Sequence, residues 1–365
     1  MTGARPGPPA FGAATAAEIL ERLVAIPSVT GEEEPVIRWV EERLSAAGWT
    51  CESIPVSAGR RNLFAHRGTP RIVFSTHADT VPPHFPARRE DGVLFARGAC
   101  DAKGSLAAML AALAALEALD GLSGEAERNA AGLLLLVGEE RGSDGALAAN
   151  AHPRAGETRY LVGGEPTENR FVAGSKGCVR VAIETEGRAG HSSRTGAEGA
   201  RSAVPPLLDI LAEIRALEWP EDAVFGGTTA NIGVLQAGTA PNVVAESGRA
   251  EVLFRTGIPV DRVLTDVRGA VRGRGSLSVP YRSEPVRFRV PREGSPAGRE
   301  IVSFACDLPL LDRWGEPLLV GPGSIAHAHA ADERVDLAEV SRAARIYQDL
   351  VSGLLARGDG WLAPP

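Results

Sequence analysis

The sequence predicts an α/β fold: a mainly parallel sheet flanked by helices, into which a smaller α+β sandwich is inserted. Three observations predict it. Short, continuously apolar runs, the mark of strands buried on both faces, alternate with segments whose apolar residues recur at helical spacing. Around Gly174 the pattern changes to strand, helix, two strands, helix, strand, the order of a compact sandwich. Helical and strand segments of the first kind then resume towards the C-terminus, so the sandwich reads as an insertion. The expected division is a disordered tail over 1–12, a main domain over 13–173 and 287–365, and an inserted domain over 174–286.

Ile19, Leu20, Leu23 and Val24 place one apolar face on a first helix, and Val36, Ile37, Val40 and Leu44 do the same for a second. The acidic run Glu32 to Glu34 suits the start of that second helix. Strands are expected at Asn62–Ala65 and Arg71–Ser75, a helix from Lys103 to Leu119, and strands at Leu133–Val137 and Tyr160–Val162. The inserted part carries an alternating strand, Val179–Glu184, and a long helix from Gly196 to Leu217. Strands near Ala230–Val234 and Val243–Phe254, a helix over Val260–Val271 and a strand near Ser276–Arg282 follow. From Glu293 onward a helix, a strand at Pro317–Val320 and a last helix over Leu337–Leu355 complete the reading.

Composition excludes several classes of function. At 365 residues the chain has the length of two to three domains, at about 150 residues each. Lys plus Arg is 39 against 46 Asp plus Glu, a formal charge of −7 with no dense basic block, which excludes a nucleic-acid binder. The longest apolar run, Leu106 to Leu116, is eleven residues long, against the roughly 18 that a membrane span requires. Met1 to Thr15 is rich in Gly, Pro and Ala and lacks the basic start and apolar core of a secretory signal. Cysteines at 51, 100, 178 and 306 match neither a zinc-finger spacing nor a disulfide framework, so free thiols and a cytoplasmic location are expected.

The chemistry is concentrated at strand ends. His77 and Asp79 follow one strand, Glu139 and Glu140 a second, and Glu165 a third. Open α/β sheets bind ligands outside the carboxyl ends of their strands, so three strands deliver acids and an imidazole to one rim. Asp101 sits where a turn becomes a helix, and His329 lies in the loop that begins Gly321-Pro322-Gly323. Carboxylates with two histidines and no cysteine suit zinc or another divalent ion of intermediate softness. Acids so crowded repel one another unless cations neutralise them. Two divalent cations would move the formal charge from −7 to −3.

These residues resemble the co-catalytic zinc deacylases and peptidases that include acetylornithine deacetylase, succinyl-diaminopimelate desuccinylase, aminoacylase and the carboxypeptidase G type. The resemblance runs over nearly all the chain after residue 15. It rests on His77-Ala78-Asp79-Thr80-Val81-Pro82, Asp101-Ala102-Lys103-Gly104, Gly138-Glu139-Glu140, Gly164-Glu165-Pro166-Thr167, Gly190-His191-Ser192-Ser193 and the late Gly-Pro-Gly turn with His329. It implies a zinc-exopeptidase-like fold with an inserted dimerisation or lid domain. It also implies that Asp101 bridges two zinc ions, cobalt and manganese being substitutes, one also held by His77 and Glu165, the other by Glu140 and His329. By the same resemblance Asp79 orients His77, Glu139 is the general base and His191 stabilises an oxyanion. Asn242 and Arg255 would hold a substrate carboxylate, with Arg194 as a further helper.

The implied reaction is hydrolysis of an N-acyl amino acid by a cytoplasmic homodimer, closest to a deacetylase of acetylornithine or acetylcitrulline. A desuccinylase, a hydrolase releasing lysine or ornithine from a carrier protein, a dipeptidase and an inert binding homologue are the alternatives. His327 competes with His329 as a ligand; the resemblance favours His329, because the family places its ligand eight residues after the first Gly of the Gly-Pro-Gly turn, here Gly321, just ahead of a short acidic stretch, here Asp332-Glu333. His66, His84 and His152 read as ordinary polar residues, and Cys100 and Cys306 as buried thiols. Ala102 stands where many relatives have Met, which bears on the fit of the acyl group.

Overall fold

The computed structural model describes residues 11, 14–118, 129–194, 199–292 and 300–363. Seven α-helices are described: α1 Ala16–Val24, α2 Glu34–Ala46, α3 Lys103–Ala118, α4 Asp144–Asn150, α5 Val204–Arg215, α6 Val260–Val271 and α7 Leu337–Arg357. The strands up to the inserted part are β1 Thr50–Ser57, β2 Arg60–His66, β3 Ile72–His77, β4 Arg88–Glu90, β5 Val93–Phe95, β6 Ala131–Leu136 and β7 Tyr160–Gly163. Then come β8 Gly174–Ser175, β9 Gly177–Glu186, β10 Thr229–Ala237, β11 Ser247–Thr256, β12 Ser276–Ser283 and β13 Val286–Arg287. The last are β14 Ile301–Val302, β15 Glu316–Leu319 and β16 Arg334–Asp336.

Two compact units result. The first comprises Met1–Ala173, Arg287–Glu300 and Cys306–Pro365, the second Gly174–Val286 and Ile301–Ala305. The return of Ile301–Ala305 to the second unit departs from the expected single boundary at 286, because β14 pairs in parallel with β8.

The first unit is built on a six-stranded sheet in the order β1-β2-β6-β3-β7-β15. β6, β3, β7 and β15 run parallel, while β1 and β2 form an antiparallel edge. β3, β6 and β7 are buried at every position, which is why they read as continuous apolar runs. α3, rich in Ala and Leu, is buried nearly all round and joins α1, α2 and α7 in one apolar core. Phe74 of β3 meets Tyr347 of α7 at 5.1 Å between ring centres, and the Tyr347 hydroxyl donates to the Val320 carbonyl at 2.8 Å. Thr15 caps α1 reciprocally with Glu18.

The second unit is the expected sandwich. Its sheet runs β10-β11-β9-β12, antiparallel throughout, with α5 and α6 packed on one face. Chain order there is strand, helix, two strands, helix, strand, as the pattern predicts.

Several boundaries differ from the sequence reading. Among the described residues α5 starts at Val204 rather than near Gly196, which itself lies outside them; Arg201 forms a bridge with Arg188 instead of a helical turn. β11 starts at Ser247, because His191 pairs with Val243 and the Ala203 amide donates to Ala245. Between 300 and 336 the expected helix is absent among the described residues, where Leu308–Leu310 forms one short turn. β1 was not foreseen, and Leu119 falls outside the described residues. Of the expected disordered tail, residues 1–10 and 12 also fall outside, while Phe11 is buried against Trp39 at 5.8 Å. All four cysteines are free. Among the described residues no helix is long and apolar enough to cross a membrane.

Phe74 is fully buried between the sheet and α7. Phe74→Ala should cost about 3–5 kcal/mol of stability, read as a lower urea midpoint for the main unfolding transition.

Candidate metal centre

Four parallel strands of the first unit end at one rim. His77 is the last residue of β3 rather than the residue after it. Glu139 and Glu140 form a short turn after β6, and Glu165 follows β7. Asp101 precedes α3, and His329, at φ 61°, lies in the loop after β15.

The side chains converge as two groups sharing one residue. Ligand atoms of His77, Asp101 and Glu165 lie within 4.8 Å of one another, as do those of Asp101, Glu140 and His329. His77 Nε2 is 3.0 Å from Asp101 Oδ1, and His329 Nε2 is 3.3 Å from Asp101 Oδ2 and 2.9 Å from Glu140 Oε2. His327 instead meets Arg334, its Nε2 lying 3.1 Å from the guanidinium. Among the described residues His66, His84 and His152 join neither group; His66 lies against Glu52 at 2.6 Å.

Asp79 does more than the sequence suggests. The His77 ring is held at Nδ1 chiefly by the Asp79 carbonyl, at 2.9 Å, with the carboxylate at 3.4 Å. That fixes Nε2 as the nitrogen turned to the centre. The carboxylate accepts the backbone N–H groups of Glu139 and Glu140, each at 3.1 Å, and the Thr30 hydroxyl at 2.9 Å. It therefore holds both the ring and the turn that carries the two glutamates. The turn begins at Gly138, at φ 81°, where a Cβ would lie 1.9 Å from Asp144 Oδ1. Arg60 closes over it, donating to Asp144 at 3.2 Å and to the buried Glu33 at 2.9 Å.

Two acids escaped the sequence reading as parts of the site. Glu333, noted only as a marker beside His329, accepts the backbone N–H of Cys100 at 3.1 Å and of Asp101 at 3.0 Å, and binds Arg97 at 2.7 Å. It holds the turn that carries Asp101 as Asp79 holds that of the glutamates. Asp307 is 7% exposed, and its charge acts on both Glu139 and Glu165. No motif or strand end announces it; Cys306 before it is also buried.

The electrostatics follow from this crowding. Burial, reinforced by neighbouring carboxylates and only partly offset by His77, raises Glu139 and Glu165 well above the carboxylate range. Asp307 is pushed up to about 7, again mainly by burial. Asp101 is held low despite burial by hydrogen bonds from His329 and His77. His77 is raised in spite of burial by its bonds to Asp101 and Asp79, and His329 is raised to about 10 by Asp101 and Glu140. Buried carboxylates that cannot all ionise beside two imidazoles form a donor set that fits divalent cations.

The second unit carries the remaining candidates in two places. His191, exposed, is 2.8 Å from the Ser193 hydroxyl through Nδ1 and pairs with Val243; its carbonyl accepts from Arg194 at 2.9 Å. The Asn242 carbonyl accepts the Ser192 N–H at 3.0 Å, so His191, Arg194 and Asn242 share one corner. Arg255 lies elsewhere, opposite Cys178 near the start of β9, whereas the His191 corner continues the ladder beyond its end at Glu186. Eight residues of strand, about 25 Å at roughly 3.3 Å each, separate Cys178 from Glu186. Asn242 and Arg255, grouped by the sequence reading, therefore cannot grip one carboxylate within a single chain.

A parallel α/β sheet whose strand ends gather paired ligand groups around a shared carboxylate defines a metal-dependent hydrolase. The chain belongs to peptidase family M20/M25/M40, whose model matches residues 73–353. A probable carboxypeptidase of Aspergillus clavatus is 30% identical over 371 residues, covering 92% of this chain and 88% of the relative. An M20 family metallo-carboxypeptidase of Sulfolobus solfataricus shares the fold at TM-score 0.72, with 16% identity over 92% of this chain and 98% of that one. A dinuclear metal-binding peptidase of the same family from Bacillus subtilis does so at TM-score 0.66, with 14% identity over 93% and 98%.

His329→Ala should lower the metal content by one ion per chain, while His327→Ala leaves it intact; metal analysis of the two purified variants reads the difference directly.

Proposed function

We propose that this hydrolase cleaves the amide bond of an N-acyl amino acid or short peptide that bears a free α-carboxylate, and releases a carboxylic acid and an amine. The observation that carries the reading is Asp101, shared by two ligand groups with Glu139 beside them. His77, Asp101 and Glu165 would hold one divalent ion and Asp101, Glu140 and His329 the other, zinc by their donor chemistry. Bound there, such ions would polarise the amide carbonyl and acidify the attacking water. Glu139, which joins neither ligand group, would take a proton from the attacking water and deliver it to the leaving nitrogen. Within this class the sequence motifs point to N-acetylornithine, and the names of relatives to C-terminal residues of peptides. Both are amides flanked by a free carboxylate.

His191 would donate a hydrogen bond to the oxyanion, and Arg255 would take the substrate carboxylate through its planar fork. Their places at opposite ends of one sheet favour a homodimer in which a small substrate meets His191 from one chain and Arg255 from the other. β10, an exposed edge strand, offers the unpaired backbone groups through which two such sheets could join.

Amine release from a panel of N-acyl amino acids and dipeptides, measured together with metal content, tests the reaction. Glu139→Ala should retain metal and fold but lose turnover by about 10²–10⁴-fold or more; near-normal kcat would refute the mechanism. Mixing inactive Glu139→Ala with inactive His191→Ala chains should restore activity in heterodimers, where one site regains both native residues. Proven subunit exchange without recovery would overturn the sharing.

A further inference from the structure

The sheet of the second unit has two faces. Val179, Val181 and Ile183 of β9 and Ala250, Val252 and Phe254 of β11 join α5 and α6 in the apolar core. The residues between them face the other way. On that second face Arg255 stands opposite Cys178, and Arg180 opposite Leu253. On the other side of β9, Ser283 stands opposite Cys178 and Tyr281 opposite Arg180. Arg180 and Arg255 are thus diagonal neighbours on adjoining strands, about 7 Å apart at Cβ. Burial raises the Cys178 thiol, and the charges of Arg255 and Arg180 act on it in the opposite direction.

Three donors around Cys178 have nothing to bind. Arg180 Nε, Arg255 Nη1 and Ser283 Oγ are buried without a hydrogen-bond partner, and Ser283 as a residue is 4% exposed. Other arginines of this sheet are satisfied by acids: Arg249 lies 2.5 Å from Glu251, and Arg282 binds Asp261 at 3.0 Å and Glu284 at 2.7 Å. A buried charged nitrogen without an acceptor is costly, so two such nitrogens, on partly buried arginines beside a buried hydroxyl, form a place suited to an anion.

We propose that Arg180, Arg255 and Ser283 bind a dicarboxylate, so that the preferred substrate is an amide whose released amino acid carries a second, side-chain carboxylate, as aspartate and glutamate do. Each guanidinium offers a planar fork to one carboxylate, and the serine hydroxyl adds a donor. Two neighbouring cations also disfavour a basic side chain such as that of ornithine at this place. Identifying the anion as part of the substrate rests on the amide-hydrolase reading; the anion site itself does not.

Calorimetric titration of the metal-loaded enzyme with glutarate and with butyrate separates a dicarboxylate site from general carboxylate affinity, the metal centre being common to both. The wild type should bind glutarate about 10- to 100-fold more tightly than butyrate. Arg180→Met should abolish the preference, and Arg180→Lys, which keeps the charge but not the fork, should retain part of it. Hydrolysis of N-acetylglutamate over N-acetylglutamine should lose the same factor in kcat/KM in Arg180→Met. Equal binding of the two acids by the wild type, or an undiminished preference in both variants, would overturn the proposal. An active enzyme indifferent to glutarate removes the anion site alone. A glutarate-selective protein that cleaves no amide removes the catalytic reading and leaves the site standing.

Discussion

The first unit is organised around a charge problem. Glu139, Glu165 and Asp307 share one largely buried neighbourhood, where burial and neighbouring carboxylates oppose their ionisation, while Asp101 among them is held low by hydrogen bonds from His329 and His77. Among the described residues two imidazoles, His77 and His329, stand with them, and the carboxylates beside each raise its pKa. Divalent ions bound there would resolve the conflict, supplying concentrated positive charge and taking the neutral imidazoles as ligands. The parallel sheet makes such crowding possible, because its strands end side by side and each contributes one acid or imidazole from a rigid position.

Holding the two candidate ligand groups in place falls to residues that belong to neither. Asp79 and Glu333 are both buried, and each accepts two consecutive backbone N–H groups, Asp79 those of Glu139 and Glu140 and Glu333 those of Cys100 and Asp101. A carboxylate that accepts from a turn's backbone fixes the turn rather than one rotamer, so the side chains it presents are pre-oriented. Arg60, clamped between Glu33 and Asp144 above Gly138, closes the glutamate turn from its other side.

The second unit divides its polar residues between the two ends of one sheet. His191, Arg194 and Asn242 gather where the β9 ladder runs on past Glu186, and Arg180, Arg255 and Ser283 gather near its start. Such spacing suits a surface that serves two places at once.

Much of this was legible in the chain itself. Fully buried strands must read as unbroken apolar runs, and so β3, β6 and β7, and with them the rim positions of His77, Glu139, Glu140 and Glu165, could be read from local pattern. The strand and helix order of the sandwich is likewise a matter of periodicity. What the sequence could not disclose depends on pairing between distant residues. Glu333 lies 232 residues from the amide of Asp101 that it holds, and no local signal links them. Asp307 follows no strand, β14 joins the second unit through a partner far back in the chain, and β11 starts late because 243–245 are engaged elsewhere. The separation of Asn242 from Arg255 was also decided by tertiary structure. Residue type and period are properties of a segment, whereas the partner of a carboxylate or the far end of a sheet exists only once the chain has closed on itself.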